Sequence, residues 1–158
     1  MNEWKGNSEA CKTYFHGKLD DNGKCVPAEK IKDMPGHSWE DVKNDENCGT
    51  VLNQDFIDIS FDSKELSDAF WNMAADNDWE SLIFENPKNN QIHSIWKKLK
   101  DWKFKDGQDI KLACGFIADL HGGSTFIRLK CNGVARFPPL YEPERIQEIP
   151  EELYPVNS

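Results

Sequence analysis

The sequence has no surplus of cations, no long apolar run and no closely spaced cysteine pair, and each absence narrows what the protein can be. Lys and Arg number 19 against 28 Asp and Glu, for a net charge of −9. Binding to phosphate backbones needs the opposite imbalance, so nucleic acid and anionic lipid are disfavoured as partners and a basic protein is favoured. Charged residues interrupt every apolar stretch well short of the roughly 18 residues that cross a bilayer, so no membrane span is expected. Met1 to Lys5 lack the charged-then-apolar pattern of a secretory leader. Two compartments stay open: the cytoplasm if Met1 is native, the periplasm or the exterior if a leader was removed.

The five cysteines, Cys11, Cys25, Cys48, Cys114 and Cys131, contain no pair at zinc-ligand spacing and no histidine at the matching offset. Neither a metal nor another cofactor is therefore expected. A Gly-x-Ser-x-Gly nucleophile elbow is also missing, as is any internal repeat.

What remains is a chain of 158 residues that is 38% hydrophobic and 11% aromatic, enough to bury a core and too aromatic to stay disordered. It reads as one soluble, acidic α+β domain over residues 1–158. Residues 1–37 are expected to form a small hairpin and a short helix, and 38–101 to be mainly helical with a strand at 56–61. Residues 102–137 are expected to form an antiparallel β-meander, and 138–158 an extended, acidic, proline-containing tail.

Local signals underlie this division. Asp21-Asn22-Gly23 supplies the positive φ of a tight hairpin turn, and Cys11 and Cys25 on either side of it would clip the hairpin in an oxidising compartment. Pro27 opens a short helix over 28–33. Ser38 with Asp41 starts a second over 39–47, and Asp62 with Glu65 caps a third whose Leu66, Phe70 and Met73 share one face. A short helix around Trp79, Leu82 and Ile83 follows. Asn86-Pro87 then begins a longer one carrying Ile92, Ile95, Trp96 and Leu99.

Beyond Trp102 the period becomes two. A bulged turn at Lys105-Asp106-Gly107 sets Trp102 opposite Ile110. The Leu112–Leu120 and Thr125–Cys131 strands then pair across the His121–Ser124 loop, which brings Cys114 opposite Cys131. Cys11 with Cys25 and Cys114 with Cys131 are thus the candidate disulfides. Asn132-Gly133 turns into a last strand ended by Pro138-Pro139. The tail is expected to lie along the body through Leu140, Tyr141, Ile146, Leu153 and Tyr154.

No motif assembles a catalytic site. Residues 18–29 overlay a calcium loop, but Lys18 stands where the first carboxylate belongs. Asp119 and His121 beside Gly122-Gly123 form an acid-base pair without a nucleophile. Lys97 to Lys105 interleave cations with aromatics, and the lysines are expected on the solvated side of a helix. Six tryptophans are many, and Trp71 and Trp79 fall off the core stripes. An exposed indole ringed by acidic groups suits protein or sugar recognition.

Binding is thus favoured over catalysis. The leading expectation is an inhibitor of the immunity, antitoxin or anti-defence kind. It would block a basic partner protein through Asp76, Asp78, Trp79 and Glu80, with Glu148, Glu151 and Glu152 of the tail. The alternative is an exported, disulfide-containing binding domain for carbohydrate or another surface ligand. Weaker alternatives are a small hydrolase using His121 and a subunit of a larger assembly. Oligomeric state is not encoded in any pattern found.

Overall fold

The computed structural model describes residues 6–7, 9–11, 13–30, 36–85, 91–122, 126–135 and 139–156. Among them are ten strands, two α-helices and one 3-10 turn, with the strands in two five-stranded antiparallel sheets. The fold is therefore mostly β. The expected α+β domain with several central helices and a C-terminal meander is not what forms. By contact density the chain divides into two compact units, Met1–Gln54 with Gly123–Pro138, and Asp55–Gly122 with Pro139–Ser158.

The first unit contains β1 (Tyr14–Leu19), β2 (Cys25–Pro27), β3 (Cys48–Val51), β9 (Phe126–Cys131) and β10 (Val134–Ala135), in the order β10-β9-β3-β1-β2. The β1–β2 hairpin forms as its turn residues dictate, with Leu19 paired to Cys25. Asp20 Oδ1 accepts from the N–H groups of Asn22 at 2.9 Å and Lys24 at 2.8 Å, and Gly23 takes a φ of 78°. A second tight turn places Asn132 and Gly133 at positive φ and pairs Cys131 with Val134. At Gly49 a Cβ would sit 2.5 Å from the Ile127 carbonyl oxygen, so β3 and β9 approach as closely as they do because no side chain intervenes.

Helix α1 (Trp39–Val42) starts where expected, and the Ser38 N–H donates to Asp41 Oδ2 at 3.4 Å. It ends five residues early, and residues 43–47 turn the chain into β3 instead. Glu46 accepts from Gly133 N–H and Asn47 from Gly17 N–H, both at 2.9 Å. Of the helix expected over 28–33, residues 28–30 are not helical and residues 31–33 lie outside those described.

The second unit contains β4 (Phe56–Phe61), α2 (Lys64–Asp76), β5 (Leu82–Glu85), β6 (Ile92–Lys97), β7 (Gly107–Lys111) and β8 (Ile117–His121), with sheet order β5-β6-β4-β8-β7. Helix α2 forms as expected but is capped one residue later, by Ser63, whose Oγ accepts from Leu66 N–H at 3.1 Å. Phe70 stacks on Phe61 and meets Trp79 and Trp96, which closes a core over Ile57, Ile59, Leu112 and Leu120.

Two expected helices are strands. β6 runs between β5 and β4 and is buried on both faces. Ile92 and Trp96 point into the core cluster while Ile95 is buried on the other side. A strand apolar on both faces loses its period of two, and 92, 95, 96 and 99 then imitate helical spacing. Ser94 fits the core side because its Oγ donates to the Ile59 carbonyl at 2.8 Å and accepts from Trp96 Nε1 at 2.9 Å. Asn86 and Pro87, the expected helix start, lie outside the described residues.

The Leu112–Leu120 strand is in fact cut by a tight turn at 113–116, with Gly115 at a φ of 98°. Ile110 accordingly pairs with Ala118, not Trp102. The meander fails at its centre because β8 pairs with β4 and β7 whereas β9 pairs with β3 and β10. Cys131 therefore ends β9 in the first unit's sheet, whereas Cys114 lies in the turn between β7 and β8 of the second unit. The tail is a packed element, as backbone bridges join Ile83 to Tyr141, Lys97 to Glu148 and Leu112 to Pro155. Ile146, Ile149 and Leu153 are buried. Among the described residues no helix is long and apolar enough to cross a membrane.

Candidate functional site

Strand alternation in β4 sends Ile57, Ile59 and Phe61 into the core of the second unit and turns Asp58 and Ser60 to the opposite face. Pairing with β6 sets His93 across from Ser60. Pairing with β8 sets Asp119 across from Ser60 and His121 across from Asp58. Three adjacent strands thus put two carboxylates, two imidazoles and a hydroxyl on one face. Asp62 follows the end of β4, and Asp109 comes from β7.

Asp58 is only 6% exposed. Its Oδ2 accepts from His93 Nδ1 at 3.2 Å, which fixes the orientation of the ring. Its Oδ1 is buried without a hydrogen-bond partner among the described residues. A carboxylate oxygen in that position carries an unmet desolvation cost.

Asp62, Asp109 and Asp119 converge, with one oxygen from each lying within 4.8 Å of the others. Asp109 adopts a φ of 55°, and its N–H donates to Asp119 Oδ1 at 2.9 Å, which locks the turn of β7 against β8. The Asp62 carboxyl is held above the ordinary carboxylate range. Partial loss of hydration is the first cause, followed by its hydrogen bond to Asp119 and the charges of Asp119 and Asp109; His121 acts in the opposite direction. Three convergent hard oxygen donors are the ligand chemistry of Mg2+, Mn2+ or Ca2+. No metal was expected from the sequence, because these residues come from three separate segments.

The residues singled out for partner binding fare unevenly. Asp76, Asp78 and Glu80 are exposed around the end of α2. Trp79 is a core residue, 8% exposed and edge-on to Trp96 at 5.5 Å between ring centres; Trp71, at 38%, is the exposed indole of this region. Glu80 is joined to the tail, since its N–H donates to Gln147 Oε1 at 2.9 Å and its carbonyl accepts from Gln147 N–H at 2.7 Å. The Tyr141 hydroxyl donates to its carboxylate. Glu148, the residue after Gln147, is exposed and bridges to Lys97 through its backbone. Glu151 and Glu152 lie farther along, where the Glu152 carbonyl accepts from Cys114 N–H at 2.8 Å.

No disulfide joins any of the five cysteines, all of which are described. The thiol beside Cys25 is that of Cys131, which matches neither expected pairing. Asp20 of the calcium-like segment spends its carboxylate on the hairpin turn. The lysines at 97–105 lie on the end of β6 and the irregular segment after it, not on a helix.

Asp58, Ser60, Asp62, His93 and Asp109 were not candidate site residues from the sequence, where Asp62 was read only as a helix cap. The available signal was Asp58-x-Ser60-x-Asp62, polar at every second position of an otherwise apolar strand. His93 was hidden by the helical appearance of 92–99. Comparison with protein-family models, with curated proteins and with solved structures finds no match to this chain.

Proposed function

We propose that the second unit performs divalent-cation-dependent chemistry on a phosphate-bearing substrate. Asp62, Asp109 and Asp119 would hold the cation, and His93, oriented by Asp58, would move a proton. The observation that carries this is the convergence of three carboxylates on the sheet face that also presents the Asp58–His93 pair. An acidic protein repels a phosphate unless a cation bridges them. A hard divalent ion held by carboxylates binds phosphate oxygens and stabilises their developing charge. The test is Mn2+ titration followed by electron paramagnetic resonance, with turnover of nucleoside triphosphates and an activated phosphodiester measured with and without chelator. Asp119→Asn should lose Mn2+ binding, and His93→Ala should keep it while losing turnover. Absence of saturable Mn2+ binding to the wild-type chain would sink the proposal.

A second function is favoured by the exposed carboxylates of Asp76, Asp78 and Glu80 around the end of α2, with Glu148 exposed on the tail segment that docks on Glu80. Exposed acidic groups of this kind suit the electrostatic capture and inhibition of a basic protein. Association with that partner should weaken steeply with salt and with Glu80→Lys. Binding insensitive to both would count against it.

A further inference from the structure

We infer that Cys25 and Cys131 are a disulfide-forming pair that joins the two chain segments of the first unit. Cys25 opens β2 and Cys131 closes β9. In sheet order these strands are separated by β1 and β3, yet β2 also lies against β9. The sheet curls enough for the Cys25 thiol to donate to the Lys130 carbonyl at 3.6 Å, and for Arg128 Nε to donate to the Cys25 carbonyl at 2.7 Å. Lys130, whose carbonyl the Cys25 thiol meets, is the residue before Cys131, and the Cys131 thiol, with Cys48 beside it, is close enough to be felt by Cys25. Lys130 and Arg128 of β9 thus both contact Cys25, which keeps the start of β2 against the end of β9.

Exposure assigns the order of events. Cys25 is 3% exposed, while Cys131 is half-buried beside the Asn132-Gly133 turn. Burial first, and then Cys131, push the Cys25 thiol up to about 12, so Cys131 is the thiol that meets an oxidant. A small-molecule disulfide such as oxidised glutathione supplies the oxidising equivalents. The Cys131 thiolate attacks it, forms a mixed disulfide and releases one thiolate. Cys25 then gives up its proton to solvent, and its sulfur attacks the Cys131 sulfur, forming the internal bond and releasing the second thiolate. Two protein thiols are oxidised by two electrons and the small disulfide is reduced to two thiols.

The bond would tie Met1–Gln54 to Gly123–Pro138 and close the intervening chain, which includes the whole of Asp55–Gly122, into a covalent loop. Cross-linking a loop of that size restricts the unfolded chain strongly. The experiment is incubation of the full chain with oxidised glutathione, alkylation of the remaining thiols and peptide mapping without reductant. The expected result is one linked peptide pair containing Cys25 and Cys131, a mass lower by two hydrogens, and an upward shift of Tm that reductant reverses. Cys131→Ser should abolish the shift and Cys114→Ser should leave it. Five alkylated cysteines after oxidation, or a bond from Cys48 to either partner as the main product, would overturn the inference.

Discussion

Replacing Asp62 with Asn should stabilise the metal-free protein and remove most of its response to a divalent cation. The three carboxylates of the cluster present oxygens within 4.8 Å of one another. Unit charges that far apart repel by about 0.9 kcal/mol in the dielectric of water, the appropriate limit because Asp62 and Asp109 are exposed. Relieving two such repulsions gains about 1–2 kcal/mol before salt screening and less after it. The sign with pH follows from the direction of the Asp62 shift. Its carboxyl lies above the ordinary range in the folded chain, so the native state keeps this proton to higher pH than the unfolded state. Stability therefore falls as pH rises from the ordinary carboxylate value through the raised one, and the full penalty is present above both. Asn lacks it. The variant's advantage should be present at neutral pH and fade as acid protonates wild-type Asp62.

A bound cation reverses the ranking. At a concentration of about 100 Kd it adds about 2.7 kcal/mol to the wild-type chain, roughly 5–10 °C in Tm for a protein of this size. The assay is calorimetric unfolding of both proteins in chelator and in Mn2+, across the acid-to-neutral range. An Asp62→Asn protein less stable than wild type in chelator at neutral pH, or equal Mn2+ shifts in both proteins, would refute the reasoning.

Three further outcomes are expected. Trp79→Ala should cost about 3–5 kcal/mol in urea unfolding because it empties the space between Phe70 and Trp96, whereas Trp71→Ala should stay within about 0.5 kcal/mol; equal costs would remove Trp79 from the core. Gly49→Ala should strip amide-exchange protection from β3 and β9, since its methyl would meet the Ile127 backbone oxygen at 2.5 Å, and unchanged protection would show that the strands can part there. Deleting residues 139–158 should cause the second unit to bind a hydrophobic dye and lose cooperative melting, because Ile149 and Leu153 belong to its core. A sharp, unchanged transition would mean that the tail is dispensable.

Turn and cap chemistry was legible from the chain alone. Asp21-Asn22-Gly23 and Asn132-Gly133 behave as written, and α2 starts within one residue of its reading, because a positive φ or a cap hydrogen bond is decided within about four residues. The strand at 56–61 was legible from its β-branched and aromatic composition, and so in principle was the polar face of Asp58, Ser60 and Asp62. Strand against helix at 82–97 was not. Burial on both faces of β6 erases the alternation that would distinguish them, and Gly115 breaks a run whose alternation otherwise continues straight through the turn. Trp79 could be read as exposed only while its partners Phe70 and Trp96 were unplaced. Which strands pair is a property of the whole chain: β8 joins β4 and β9 joins β3. That choice, made by burial of apolar faces across long sequence separations, places His93 and Asp119 on either side of Ser60. It also sets Cys131 against Cys25 instead of Cys114.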